Sequence, residues 1–183
     1  MRKNNISLSE REINEINNFC FEKKLSAGIS KCFHDISKLK FHFEQAVTAL
    51  FLNRKLRKIY KLSFYEEFVA DHMIDIAFKN TDLKQFCNES LLKLIEYDKS
   101  NNTTFASTLY EFLVHEINLA HTAKALHIHR NTLIYRINKI QEITNHNLED
   151  NSYRFNLLFS FKILSFLENY VFTYLKRLSK IEF

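Results

Sequence analysis

The stretch that decides the fold is residues 121–143, which read HTAKALHIHRNTLIYRINKIQEI. It begins with a segment only two helical turns long, His121–Leu126, and continues after a two-residue turn into a longer segment from about Arg130 to Ile143. A short helix, a tight turn and a second helix are the geometry of a helix-turn-helix motif. Ala123 is small at the point where the two helices would approach each other. The stretch therefore predicts this motif, with its second helix at about 130–143.

The side chains of this stretch divide between an apolar side and a polar side of the predicted motif. The turn position before Ile128, where glycine is common, holds His127, a residue type that adopts positive φ more readily than most. The apolar side is expected to hold Leu126, Ile128, Leu133, Ile137 and Ile140. The polar side is expected to hold Arg130, Asn131, Thr132, Arg136 and Lys139.

The composition of the whole chain favours helices throughout. It has one Gly and no Pro in 183 residues, where average usage is about 7% and 5%. Tight hairpins and phosphate-cradling loops need residues that tolerate positive φ, so an all-β fold and a nucleotide-binding glycine loop are excluded. The 18 Phe and 8 Tyr must then pack between helices. We predict an all-α helical bundle with at most one short strand near residues 25–30, where the glycine lies.

The N-terminal half shows three further helical segments. Ser9 and Glu12 have the spacing of a capping box and predict a helix over about 9–24. Asp35 is expected to cap a long helix, and an apolar run predicts another helix over about 63–78. The core face of the long helix is expected to hold Leu39, Phe43, Ala46, Val47 and Leu50.

A domain boundary is expected at the run Asp98–Asn102, DKSNN, whose composition predicts a loop. We therefore divide the chain into an N-terminal helical region, residues 1–98, and a C-terminal helix-turn-helix module with a long last helix, residues 99–183.

Charge is distributed unevenly around the predicted motif. Residues 117–141 contain four basic residues and no Asp or Glu, although the chain has 21 acidic residues in all. A surface without carboxylates is what phosphate binding requires. The alternative is a chance fluctuation on an ordinary solvated face.

The donors on the polar side suit double-stranded DNA. Arg bonds bidentately to guanine and Asn to adenine in the major groove, and hydroxyl and basic groups bind phosphate oxygens. Tyr135 has two open roles, contact with the DNA backbone or packing under the helix. The predicted base-contacting residues are Arg130, Asn131 and Thr132. The predicted phosphate-contacting residues are Thr122, His129, Tyr135, Arg136 and Lys139.

Catalytic and metal functions find no support in the sequence. No nucleophile-elbow, phosphate-loop or HExxH pattern occurs, so we expect no enzyme and no cofactor. Four histidines, His115, His121, His127 and His129, lack a companion Cys or carboxylate at ligand spacing, so we expect no metal. The acidic residues Glu66, Glu67, Asp71 and Asp75 are interpreted as a solvated face.

The cellular setting is predicted from the cysteines and from hydropathy. Three Cys without paired spacing indicate free thiols in a reducing, cytoplasmic environment. The polar start of the chain does not look like a signal peptide. The most apolar window, Phe155–Leu175, is interrupted by Lys162, Glu168 and Asn169, so a buried helix is expected rather than a membrane span.

The segment His129–Arg136, HRNTLIYR, resembles the signature of the PucR-type bacterial regulators of purine catabolism and sugar-diacid use. Tyr97-Asp98, Thr108-Leu109 and Leu148…Asp150…Arg154 stand where that family has similar residues. The resemblance implies a Fis-like helix-turn-helix module in a sequence-specific transcriptional regulator. Family members usually carry a long N-terminal sensor region, for which 183 residues leave no room, so the effector stays unknown. The alternative function is a helix-turn-helix fold that binds protein rather than DNA.

The last predicted helix offers a surface for pairing. Its apolar residues between Phe155 and Leu178 occupy more than one stripe, so the helix must be buried on most sides. One flank would cover the helix-turn-helix core. The other would be covered either by the N-terminal helices or by a second protomer, and we expect a homodimer.

Overall fold

The computed structural model describes residues 8–56 and 61–178, with side chains up to Glu168. As expected, the described chain is mainly α-helical. Short 3-10 turns at 36–38, 65–68 and 83–86 connect some of its elements. The helices are α1 (Glu10–Glu22), α2 (Leu39–Lys55), α3 (Val69–Phe78), α4 (Glu89–Asn101), α5 (Phe105–Val114), α6 (Leu119–Ala125), α7 (Arg130–Thr144) and α8 (Asn151–Leu178), and the strands are β1 (Ala27–Ile29) and β2 (Leu62–Phe64).

The chain forms two compact units. The N-terminal unit comprises the described residues up to Thr81 together with α8 from Phe166 onward, and the C-terminal unit comprises Asp82–Ser165. The boundary predicted after residue 98 falls inside α4, which is continuous through Asn101. The predicted loop at 98–102 is therefore wrong, and the helix ends only at Asn102, whose φ is 53°.

The polar run that suggested a loop has a capping function instead. The Asp98 carboxylate accepts hydrogen bonds from the backbone N–H of Phe105 at 2.8 Å and of Ala106 at 2.7 Å. It also accepts one from the Thr103 hydroxyl at 2.5 Å. The first N–H groups of a helix have no partner inside that helix, so one aspartate at the end of α4 fixes the start of α5.

The N-terminal unit is built around a parallel pair of strands. Strand β1 pairs with β2 in the register Ala27↔Leu62, Gly28↔Ser63 and Ile29↔Phe64. The short strand near 25–30 is confirmed, but the limit of one strand is wrong because a strand needs a partner for its backbone groups. The helix predicted over 63–78 consequently begins as α3 only at Val69. The capping box at Ser9 and Glu12 is confirmed at the start of α1.

Helix α2 buries a different face from the one predicted. Leu39, Phe43 and Val47 are 53%, 66% and 48% exposed. Ala49 and Leu52, on the opposite side, are fully buried, and α2 packs there on both strands. Three polar residues share this inner face: His42, Gln45 and Asn53. Apolar residues do recur along α2 at helical spacing. This spacing alone does not show which of the two apolar rows the strands cover.

The acidic residues of α3 are not the solvated face that the sequence predicted. Asp71 and Asp75 are 2% and 3% exposed. The Lys55 ammonium forms an ion pair with Asp75, and Lys79 lies 3.2 Å from its other oxygen. Burial alone would raise the pKa of the Asp75 carboxyl, but the hydrogen bonds and charges of these two lysines hold it below its usual range.

The C-terminal unit has a continuous apolar core. Helices α4, α5 and α6 pack on α7, and Tyr153 and Leu157 of α8 join the same cluster. The expectation that one flank of the last helix covers this core is confirmed.

Among the helices of residues 8–56 and 61–178, none combines the length and hydropathy that crossing a bilayer needs.

Gly28 sits where β1 and α2 come closest. A Cβ built on it would lie 2.0 Å from the Ala46 carbonyl oxygen and 3.0 Å from Leu50 Cγ. We predict that Gly28→Ala forces the strand and helix apart and lowers the free energy of unfolding by about 1–3 kcal/mol. Urea unfolding followed by circular dichroism measures the loss, with Ser26→Ala as the matched surface control. Equal stability of the two variants would contradict the close approach.

Candidate nucleic-acid interface

Helices α6 and α7 form the predicted helix-turn-helix. Asn118 caps α6, and its side-chain oxygen accepts hydrogen bonds from the N–H of Ala120 and of His121, both at 3.0 Å. The turn after α6 passes through His127, whose φ of 53° is left-handed as the sequence predicted. The Ile128 N–H then donates to the Ala123 carbonyl at 3.0 Å. This bond reverses the chain onto the small Ala123, and α7 starts two residues later.

Helix α7 is buried on one side and exposed on the other, as predicted. Leu133 and Ile140 are fully buried, and Ile137 is 7% exposed. Leu126 and Ile128 of the turn pack against the same core while partly exposed. The buried side therefore fixes which residues of α7 face solvent.

The three predicted base-contacting residues lie together at the free end of α7. Arg130, Asn131 and Thr132 occupy the first turn of the helix, and all three are exposed. Tyr135, one turn further along, is 64% exposed, which removes the alternative that it packs under the helix. The four side chains present donors and acceptors to solvent from one helix end.

His129 has a structural role that the sequence analysis did not predict. It is the N-cap of α7, and its Nδ1 accepts a hydrogen bond from the Asn131 N–H at 3.2 Å. Its position directly before the helix was the available signal, since N-cap residues carry a side-chain acceptor.

Arg136 is held against α5 in this structure. Its guanidinium donates to the Thr108 hydroxyl at 3.0 Å and lies 3.4 Å from the Thr104 hydroxyl. Thr108 is fully buried, and its own hydroxyl donates to the Thr104 carbonyl at 2.9 Å. Arg136 therefore braces α7 on α5, a contact between distant parts of the chain that spacing alone does not reveal.

Lys139 is paired with the first carboxylate after the acid-free stretch. Its ammonium lies 3.0 Å from both oxygens of Glu142. This hydrogen bond raises the pKa of the Lys139 ammonium. A phosphate at Lys139 would have to displace that carboxylate.

Thr122 is the one predicted contact residue that faces inward. It is fully buried, and its hydroxyl donates to the Asn118 carbonyl at 2.8 Å. The N–H groups at the start of α6 are largely satisfied by Asn118. Lys124, two residues further along α6, is exposed and is one of the four basic residues of the acid-free stretch, although it was not among the predicted contacts.

The loop that enters α6 is strained. Glu116 and Ile117 are consecutive residues with φ of 53° and 58°, a conformation that is unusual for a β-branched side chain. The Ile117 N–H donates to the Phe112 carbonyl at 2.8 Å, which closes the end of α5. Nothing in the sequence indicated this strain.

Within the described ranges, no three His, Cys, Asp or Glu side chains come together as metal ligands.

The C-terminal unit thus defines a helix-turn-helix module with an exposed, donor-rich helix end. Residues 105–163 match the model of the PucR C-terminal helix-turn-helix domain, and this segment is similar to that family. The resemblance of HRNTLIYR is confirmed. No solved structure gives a significant match to the chain.

Two curated relatives extend the match beyond this segment. The purine catabolism regulatory protein of Bacillus subtilis (strain 168) is 28% identical over 130 residues, 71% of this chain and 24% of the relative. The DNA-binding transcriptional activator AdeR of the same organism is 24% identical over 140 residues, 76% of this chain and 33% of that protein. The chain spans a third or less of the length of these relatives.

The brace between Arg136 and Thr108 generates a testable prediction. Thr108→Val keeps the volume but removes the hydroxyl that accepts from Arg136, so we expect about 1 kcal/mol less stability. Thr144→Val is the matched control, since the Thr144 hydroxyl is also buried but donates only to carbonyls of its own helix. Equal effects of the two variants would show that Arg136 needs no such support.

Proposed function

We propose that this chain acts as a sequence-specific DNA-binding transcriptional regulator, with the N-terminal end of α7 in the major groove of double-stranded DNA. The observation that carries the proposal is the exposure of Arg130, Asn131 and Thr132 together at the first turn of α7. That turn lies within residues 117–141, where no carboxylate would repel phosphate.

The chemistry of base recognition follows from these side chains. The N-terminal residues of a recognition helix are the ones that contact base edges. Arg130 has the bidentate fork that suits guanine O6 and N7, and Asn131 has the amide that suits adenine N6 and N7. Thr132 can bond to either purine or contact a thymine methyl group. We therefore assign base reading to these three residues.

Phosphate contacts are assigned to the groups around this helix end. The exposed Tyr135 follows the base-reading turn along α7, His129 offers its second ring nitrogen, and the ammonium of Lys139 would contact phosphate in place of Glu142. Arg136 uses one amino group for its brace on α5 and keeps the other donors of its guanidinium for phosphate. Thr122 is not included because its side chain is buried. Such contacts position the protein without reading sequence.

The relatives support a regulatory function. One is described as a regulatory protein of purine catabolism and the other as a DNA-binding transcriptional activator. The matched family segment contains the whole of α6 and α7. We infer that the chain binds DNA rather than catalysing a reaction, and that it does so in the cytoplasm.

We further propose that two copies of the chain bind one operator. A single recognition helix contacts only a few base pairs, so helix-turn-helix proteins commonly bind two half-sites as dimers. Helix α8 carries Phe155, Leu158 and Phe159, which are 68%, 37% and 39% exposed. The residues of the same helix from Tyr170 to Leu175, including Phe172, lie outside the described side chains. The exposed aromatic surface supports pairing through α8.

Base reading by Asn131 is tested by truncation. Asn131→Ala should lose about 1–3 kcal/mol of binding free energy on the cognate site and relax the preference at one base position. Titrations on cognate and random fragments measure both effects. Asn138→Ala, an exposed residue two turns further along α7, is the matched control and should bind like wild type. An equal loss on random DNA would exclude base reading by Asn131.

The Lys139–Glu142 pair gives a prediction about salt dependence. Lys139→Ala should weaken binding to all DNA and reduce the slope of log K against log[salt] by about one unit. Glu142→Gln should strengthen binding to all DNA, because the carboxylate that competes with phosphate is gone. Glu22→Gln, which changes the net charge equally on an exposed part of α1, controls for the overall field. An unchanged slope in Lys139→Ala would remove this residue from the phosphate contacts.

Pairing is measured by sedimentation at micromolar concentration. We expect a species of roughly twice 21.9 kDa. Phe155→Glu should release folded monomers that bind half-sites weakly, whereas Phe21→Glu, at a similarly exposed position of α1, should leave the dimer intact. A wild-type monomer with full operator affinity would contradict pairing.

A further inference from the structure

A crevice opens where the two parallel strands end. Strands β1 and β2 finish in register at Ile29 and Phe64. The residues that follow them, with the start of α1, line a crevice of about 440 Å³. This volume is in the range of small-molecule sites, which are typically 300–1,000 Å³. Ligands of parallel α/β units bind outside the carboxyl ends of the strands because the loops there converge.

The loop after β1 is held in place by the polar inner face of α2. The Lys31 N–H donates to the Gln45 side-chain oxygen at 3.2 Å, and the same oxygen lies 3.2 Å from His42 Nδ1. The His42 ring in turn stacks on Phe33, with ring centroids 4.1 Å apart. Burying Gln45 and His42 costs free energy unless their polar groups are satisfied. Their contacts here give the loop a fixed shape.

The loop after β2 is supported in a similar way. The Tyr65 hydroxyl lies 2.8 Å from His72 Nδ1 on α3, and the two rings meet edge to face at 5.7 Å. Both walls of the crevice are therefore fixed by side chains behind them. Supported walls distinguish a preorganised site from a gap between loops.

The residues that line the crevice include two of opposite charge and several apolar ones. Lys31 follows β1 and Glu66 follows β2, and both are exposed. Among the described residues, neither side chain forms an ion pair with another. The crevice is also lined by three partly buried apolar residues, Ile13, Ile29 and Phe64. A matching ligand has a carboxylate for Lys31, an ammonium group for Glu66 and an apolar body.

We propose that this crevice binds a free α-amino acid with an apolar side chain. Lys31 binds the carboxylate and Glu66 the ammonium group, and the side chain of the ligand packs on Ile13, Ile29 and Phe64. Hydrogen bonds between charged groups are about twice as strong as neutral ones, so two of them select a zwitterion. The site belongs to the N-terminal unit and goes beyond the proposed DNA binding, on which it does not depend.

Calorimetric titration of the whole chain tests the proposal directly. The probes are L-leucine and L-phenylalanine, with 3-phenylpropanoate lacking the amine and phenethylamine lacking the carboxylate. We expect saturable binding of at least one amino acid. Each truncated analogue should bind at least about tenfold more weakly than that amino acid. Failure of both amino acids to bind, or equal binding of the analogues, would overturn the proposal.

Variants locate the site. Lys31→Ala and Glu66→Gln should each weaken amino-acid binding about tenfold, while Lys40→Ala and Glu44→Gln on the exposed side of α2 should not change it. Thermal unfolding checks that all four variants fold like wild type. A neutral purine base serves as a further probe. If it binds more tightly than the amino acids, and if neither Lys31→Ala nor Glu66→Gln weakens its binding, the proposal of an amino-acid ligand is overturned. Amino-acid binding unaffected by both variants would place it elsewhere and overturn the assignment.

Discussion

The orientation of α7 depends on one backbone constraint, the left-handed residue at His127. With φ of 53° there, the Ile128 N–H returns to the Ala123 carbonyl and the chain reverses within three residues of the end of α6. A side chain larger than that of Ala123 at this crossing would push the two helices apart. The first turn of α7 is exposed because this reversal buries the other side of the helix.

A second set of contacts holds α7 from the side of α5. Asp98, at the end of α4, caps the first N–H groups of α5, and Thr108 of α5 accepts from Arg136 of α7. These are polar contacts between different helices, α4 with α5 and α5 with α7, so each has a definite geometry that apolar packing alone does not impose. The guanidinium of Arg136 carries five donors and uses one amino group for the contact with α5, whereas the ammonium of a lysine would be a single point of contact.

The sequence predicted the C-terminal motif better than the N-terminal unit, for a physical reason. The turn at His127 and the buried row of α7 are local patterns, readable within a few residues. The outer face of α2, by contrast, carries Phe43 in solvent while His42 is buried, because long-range partners decide which row is covered. Strand β2 was missed for the same reason, since a three-residue strand is specified by its partner. Within the interface, the inward hydroxyl of Thr122 and the brace at Arg136 also depend on neighbours that spacing does not show.

The most direct test of the account is methylation interference on an operator recovered by selecting genomic fragments. Guanine N7 lies in the major groove and adenine N3 in the minor groove, so dimethyl sulfate probes both grooves in one experiment. If the first turn of α7 reads bases in the major groove, N7 methylation of particular guanines prevents binding. Interference only from methylated adenine N3, or none at any base, would contradict the account.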